Sequence, residues 1–341
     1  AISSFYDINS KIKKLGNDAL ANIQSSKYGI VIVLLGRSYN AMADEANMGI
    51  PQKISSRGIT IIPFDSLDFS KYHSYENMYW DSGKLILQAT RLIKESPVLF
   101  PIYITNFSCG PDSIILHYFH KIMDNKPHLV LELDSHSADA GINTRIEAFI
   151  DIILRYKQLN ERGLISYVSN EFTPLKVIDS HKIIDSKGTE TSIFDKNVKI
   201  IIPSMGRFSS EAFAAAFIKH GINSEALPIY DFNTLALGRS STSCKECLPL
   251  ILNSGALLNY YKNRDKNEKT IFFMPKGTGP CRFGQYHVFL NDLIQNHKLE
   301  NTGVYSLTDE DSYGGLGNSF VIRGWIAITV GDAIQNLMHS I

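Results

Sequence analysis

Four cysteines, Cys109, Cys244, Cys247 and Cys281, are the residues of this 341-residue chain whose type and spacing could do chemistry. Two of them share the stretch STSCKECLP (241–249), a C-x-x-C spacing open to a zinc clip, a dithiol switch or part of an iron–sulfur site. In all three the thiolate is the working form. Zinc knuckles usually supply two close pairs, and neither Cys109 nor Cys281 has a cysteine two to four residues away, which weakens the zinc reading. A thioredoxin-type dithiol would follow the first strand of a βαβ unit, whereas this pair lies deep in the second half and runs into Leu248-Pro249; that reading is weaker still.

What positions these thiols can be read from periodicity. The first half alternates short apolar runs, 29–36, 58–65, 98–107 and 128–134, with helical patterns such as 81–95 and 112–124. Continuous apolar runs of this length suit parallel strands buried on both faces, and the alternation predicts a β-α-β-α order. After a helical segment around 145–159 and a mixed stretch over 163–197, a second series follows at 198–206, 222–231, 270–277 and 303–309. The expected fold is therefore α/β: two Rossmann-like, doubly wound lobes with mainly parallel sheets facing a cleft. Residues 1–160 form the first, and 161–341 the second, which carries the C-x-x-C and GPCRFGQY motifs. LLGRSYN (34–40), SMGRFSS (204–210) and ALGRSST (236–242) each place Gly-Arg and a hydroxyl-rich tail after an apolar stretch, a weak internal repeat.

On this scaffold all four cysteines fall after a strand-like run or just before a helical pattern, none inside an apolar run. Cys109 follows PIYITNF and precedes Asp112-Ser113, a good helix N-cap; Cys281 follows the loop KGTGP; Cys244 and Cys247 precede a long helical pattern. Open α/β sheets keep their sites outside the carboxyl ends of the strands. Helix N-termini there stabilise thiolates by roughly 0.3–1 kcal/mol per exposed contact. The bland alternative is that each cysteine is an inert, buried small hydrophobe.

Composition bounds the rest. With 44% hydrophobic and 20% charged residues, the chain can bury substantial cores. The 34 basic and 34 acidic residues balance, so neither nucleic acid nor an anionic membrane surface is an expected partner. Apolar runs such as 30–35 and 212–218 fall far short of the roughly 20 residues that cross a bilayer, and residues 1–17 lack the apolar centre of a signal peptide. A cytoplasmic location is expected, and a reducing compartment moves four cysteines away from disulfides, toward metal or redox chemistry.

NFSCGPDS (106–113), LELDSHSADAGINTRIEAFIDII (131–153), KECLP (245–249) and GPCRFGQY (279–286), extended by MYWDSGKLILQATR (78–91) and EDSYGG (310–315), carry a further likeness. Over most of its length the chain resembles the iron–sulfur modules related to the 2-hydroxyacyl-CoA dehydratase component (2-hydroxyglutaryl-CoA dehydratase D-component-like), notably those fused to or encoded with the ATP-dependent activases of that system. The resemblance implies stacked Rossmann-like lobes whose cysteines hold a 4Fe-4S cluster, or in one branch a double-cubane cluster. An activase spends ATP to push a low-potential electron into the cluster. In the dehydratases it passes to a 2-hydroxyacyl-CoA, and the resulting ketyl radical expels the hydroxyl group. By position, Cys109, Cys247 and Cys281 are the implied metal ligands, with Cys244 as a fourth. Three ligands would leave one iron open to substrate oxygen; four would close the cluster and favour electron transfer. A double-cubane asks for more cysteines than the chain has.

Arg37, Arg239 and Arg282, at or near strand ends, are then candidates to neutralise the cluster or grip CoA phosphates, against the plain reading of solvated or salt-bridged arginines. In the polar run Asp134, His136, Asp139, Arg145 and Glu147, the catalytic candidates are His136 and Glu147, for proton handling; the competing reading is a capped, salt-bridged helix start. The loop YGGLGN (313–318) could approach a cofactor or be a simple turn. No G-x-x-x-x-G-K-[ST] motif occurs and GTGP (277–280) is too short for a phosphate loop, so ATP would bind on a partner, an activase domain or subunit. An acyl-CoA substrate is the other implied partner, and a dimer is left open. The rival functions are a noncatalytic electron-transfer or regulatory module of a larger activase, and a zinc or thiol protein that shares only the fold.

Overall fold

The computed structural model describes residues 2–75, 77–107, 110–165, 172–179, 181–306 and 316–340. The chain divides into two compact units, Ala1–Val168 and Ser169–Ile341.

In the first unit the elements run α1 (Ile2–Ala21), β1 (Val31–Gly36), α2 (Ser38–Ala41), α3 (Ile50–Ser55), β2 (Thr60–Pro63), α4 (Asp81–Glu95), β3 (Leu99–Thr105), α5 (Asp112–Met123), β4 (Leu129–Glu132) and α6 (Asp139–Glu161). The four strands pair in parallel in the order β2-β1-β3-β4. Val31 to Gly36 lie beside Leu99 to Ile104, and every residue of β1 and β3 is buried. That burial explains the unbroken apolar runs: a parallel strand covered on both faces has no side left for polar residues. Ile32, Leu34, Phe100 and Ile102 meet Ile142, Ile146, Phe149 and Ile153 of α6 in one core cluster.

The second unit opens with a small antiparallel sheet, β5 (Lys176–Val177), β6 (Lys182–Ile184) and β7 (Glu190–Ser192). It continues through β8 (Val198–Ile202), α7 (Arg207–Lys219), β9 (Ser224–Ala226), α8 (Phe232–Ser240), α9 (Leu248–Asn263), β10 (Lys269–Phe273), α10 (Tyr286–Asn296), β11 (Thr302–Tyr305) and α11 (Asn318–His339). Its parallel sheet has the order β11-β10-β8-β9. Numbered within each unit, both sheets read fourth-third-first-second. In each, the first and third strands are neighbours whose chains leave toward opposite edges, the arrangement at which open α/β sheets form a crevice.

The third Gly-Arg repeat is a different matter. Gly36-Arg37 and Gly206-Arg207 leave parallel strands, but Gly238-Arg239 lies inside α8, so Arg239 stands in the last turn of a helix and not at a strand end. The Asp231 side chain caps α8 by accepting the Thr234 N–H at 2.8 Å. The helix is needed because α8 and α9 meet through glycines. A Cβ at Gly255 would stand 1.9 Å from the Thr234 carbonyl oxygen, and one at Gly238 would stand 2.0 Å from that of Ile251.

This backbone contact fixes where α9 begins and hence where Cys247 sits. Gly255→Ala must push backbone against backbone and is expected to destabilise the second unit by about 1–3 kcal/mol. Urea unfolding of the variant checks this, and an unchanged midpoint would contradict the contact.

Candidate functional site

Three of the four cysteines lie in the second unit, all as free thiols: Cys244 and Cys281 exposed, Cys247 half-buried. Cys109 falls outside the described residues, as do 310–315 of EDSYGG and the first part of YGGLGN.

The STSCKECLP loop is organised by a buried carboxylate. Glu246 Oε1 accepts from the Ser243 hydroxyl at 2.9 Å and from the Ser243 N–H at 3.3 Å, while Oε2 accepts from the Lys245 N–H at 3.1 Å. A buried carboxylate needs such partners, and here they are the N–H groups of the turn it closes. Cys244 occupies the tip of that turn with φ 61°, a left-handed conformation rare for a residue with a side chain. Its thiol makes a weak contact with the Arg239 carbonyl at 3.6 Å. Cys247 is the N-cap of α9, its carbonyl accepting the first intrahelical bonds from Leu250 and Ile251.

The second junction follows β10. The loop from Met274 folds back so closely that a Cβ on Gly284 would lie 2.3 Å from the Gly277 carbonyl oxygen, which accounts for the second glycine in GPCRFGQY. Cys281 caps the 3-10 turn Arg282–Gln285, and α10 starts at Tyr286.

Tyr286 joins the two junctions. Its hydroxyl lies 2.5 Å from Cys247 Sγ. Burial holds its phenol well above the usual range, the Cys247 contact and the charges of Cys247 and Cys281 push the same way, and Arg282 opposes them. Cys244, by contrast, has its thiol against the Arg239 carbonyl, on the α8 side. Among the described residues no group of three or more His, Cys, Asp or Glu side chains stands close enough to hold a metal ion.

The candidates of the first unit have other partners. Arg37 bonds the Tyr39 hydroxyl, stacks on the Tyr39 ring with 4.9 Å to its centroid, and has Nε 3.7 Å from Asp112 Oδ1. Asp112 is fully buried and also accepts from Thr105 Oγ1 at 2.6 Å and the Tyr103 hydroxyl at 3.3 Å. It therefore does not cap α5; it is the first helical residue, and its carboxylate ties the ends of β1 and β3 together. Glu147 forms an exposed ion pair with Arg57 at 2.6 Å, Asp139 pairs with Lys53 at 3.4 Å, Arg145 donates to the Val130 carbonyl, and Asp134 accepts from Ser137 Oγ at 2.6 Å. The polar run is thus a salt-bridged helix start, with His136 exposed in the turn before it.

Sequence reading missed Glu246 and Tyr286. Glu246 had a usable signal, since a Ser three residues before a Glu is a common turn-closing pair; Tyr286 had none, because its partner is 39 residues away.

The family model of the CoA enzyme activase uncharacterised domain (DUF2229) matches residues 1–67, from α1 through β2. The match relates this segment to an activase family, and all four cysteines lie outside it. Neither the curated proteins nor the solved structures contain a match to the chain. Among the described residues no helix is long and apolar enough to cross a membrane.

His287, next to Tyr286, is buried, and burial together with the Lys276 charge lowers its pKa from 6.5 to about 4. Between those values the unfolded chain binds a proton that the folded one excludes, so stability falls as the pH falls from about 6.5 to 4, by up to roughly 3 kcal/mol. Relative to the wild type, His287→Gln is expected to gain about that much between neutral pH and pH ~4 in urea titrations; a pH-independent difference would contradict it.

Proposed function

We propose that this chain is an iron–sulfur redox component of an ATP-dependent activase system, accepting a low-potential electron from the activase and passing it to an acyl-CoA-type substrate. The observation that carries this reading is that Cys247 and Cys281 cap two separate loop–helix junctions of one unit, and that Tyr286, which starts the helix after the second junction, lies 2.5 Å from Cys247 Sγ at the first. The activase-family match over residues 1–67 supports it from an independent part of the chain.

The donor set fits such a group. Free thiols are soft donors, Cys247 and Cys281 stand at helix starts, and thiolates are the ligands iron–sulfur clusters use. Cys247 and Cys281 would hold the cluster together with Cys109, and Cys244 would be a fourth ligand if the cluster is closed. When bound, a 4Fe-4S cluster supplies one-electron chemistry whose potential depends on net charge, exposure and hydrogen bonds to sulfur. The chain's own residues act on those variables. The Tyr286 hydroxyl lies 2.5 Å from Cys247 Sγ and would donate to it once that sulfur is a thiolate ligand, Arg282 sets a positive charge that acts on the same phenol, and Glu246 fixes the turn from which Cys247 emerges.

One observation favours a second reading. The matching family is activase-associated, which suits a noncatalytic electron-transfer module of a larger activase. The two readings part on turnover. With an activase, ATP and a reductant, a dehydratase-like component consumes a 2-hydroxyacyl-CoA, whereas a relay is reduced without consuming it.

The shared premise is tested by anaerobic reconstitution followed by iron and acid-labile sulfide counts. Visible absorption and EPR of a reduced cluster are expected, and are expected to be lost in Cys247→Ser and Cys281→Ser. Tyr286→Phe should keep the iron and lower the reduction potential, because it removes one hydrogen bond to sulfur. A folded chain that takes up no iron would sink the proposal. In Cys244→Ser, retention of the spectrum indicates three ligands and loss indicates four.

A further inference from the structure

A pocket of about 240 Å³ lies in the first unit, outside the carboxyl ends of β3 and β4 and against the segment that follows β1. β1 and β3 are the neighbouring strands whose chains diverge, so the pocket occupies the crevice position of an open α/β sheet. Its apolar wall comes from Met48, Ile104 and Leu133, and its polar wall includes Asn40, Glu45 and Asp134.

Asn40 is the informative residue. It is 6% exposed, and its Nδ2 has no hydrogen-bond partner among the described residues. A buried N–H donor without an acceptor is unfavourable, and in native proteins such groups are few. Here the donor belongs to a residue lining a pocket, so an acceptor on a bound molecule would satisfy it. The carboxylates of Glu45 and Asp134 ask for the opposite partner, a hydrogen-bond donor, and none of the ten described lining residues is cationic. An anion would meet two like charges with no cation among those lining residues to offset them.

The wall is also held in place. Met48 has φ 53° and Gly49 φ 65°. This left-handed pair is pinned by Asn47, whose Oδ1 accepts the Gly49 N–H at 2.9 Å and whose Nδ2 donates to the Ala41 carbonyl at 3.2 Å. Lys53 Nζ donates to the Met48 carbonyl at 2.7 Å. A methionine kept in a sparsely populated conformation on a pocket wall is the kind of local strain that collects at binding sites.

We propose that this pocket binds a neutral molecule with a carboxamide-type edge, an acceptor beside an N–H donor, on an apolar body. The acceptor would meet Asn40 Nδ2, the N–H groups would meet the carboxylates of Glu45 and Asp134, and the apolar body would lie on Met48, Ile104 and Leu133. The inference uses no thiol and stands apart from the cluster proposal.

Benzamide and benzoate share this shape and differ in the group that matters, so the test is ligand-observed saturation-transfer NMR on the full chain with each probe. Benzamide is expected to bind with a Kd on the order of 1 mM and benzoate at least tenfold more weakly. Asn40→Ala should weaken benzamide by about fivefold, the worth of one hydrogen bond. Glu45 is exposed, so Glu45→Lys leaves the fold intact and should shift the preference toward benzoate even if Asn40→Ala proves unstable. Equal or tighter binding of benzoate, no transfer to benzamide at several Kd equivalents, or a preference that Glu45→Lys does not move would overturn the proposal.

Discussion

Parallel strands commit their backbone hydrogen bonds sideways and their side chains to both faces, so helices must cover them above and below. What a parallel sheet leaves open is the row of loops at the carboxyl ends of its strands. In this protein that constraint operates twice, on two sheets of the same internal order, β2-β1-β3-β4 and β11-β10-β8-β9. Cys281 lies between the third parallel strand of its unit and the helix that follows. In the sequence, Cys109 falls between β3 and α5, the same step of the other unit. The matching sheet order, more than the Gly-Arg repeat, makes the two units look like copies of one plan.

Within the second unit the thiols depend on contacts that are themselves unusual. α8 and α9 approach until glycine meets backbone, which sets the start of α9 at Cys247. Glu246 is buried next to that start, with the N–H groups of its own turn as partners. The loop before Cys281 closes on Gly284 in the same backbone-to-backbone manner. Tyr286, at the start of the helix that follows Cys281, then reaches the Cys247 thiol of the other junction at 2.5 Å.

The eight parallel strands were legible in the sequence through apolar runs, which burial writes almost unbroken into β1, β3, β8, β10 and β11, whereas β2, β4 and β9 are only partly buried. The strands are shorter than those runs: 198–206 gives Val198–Ile202 and 222–231 gives Ser224–Ala226, since the chain turns toward the next helix while still apolar. The helix expected over 81–95 spans those residues. The small β5–β7 sheet left no pattern, its strands being two or three mostly polar residues held by turns such as that of Asp185, which accepts from the Lys187 and Thr189 N–H groups. TLALG read as the end of an apolar stretch but folds as helix, since an Asp231 cap and a glycine contact with α9 outweigh local pattern. Glu147 offered an acid in a polar run; only the fold reveals Arg57, 90 positions away, as its partner. Long-range pairs of this kind leave no local trace, and Tyr286 with Cys247 is another.

The proposed thiol-held iron–sulfur cluster is tested most directly by X-ray absorption at the iron and zinc edges of anaerobically purified protein. The proposal predicts an iron edge with a sulfur-dominated first shell and short iron–iron scattering. A zinc edge with no iron, or iron surrounded by oxygen and nitrogen alone, would contradict it.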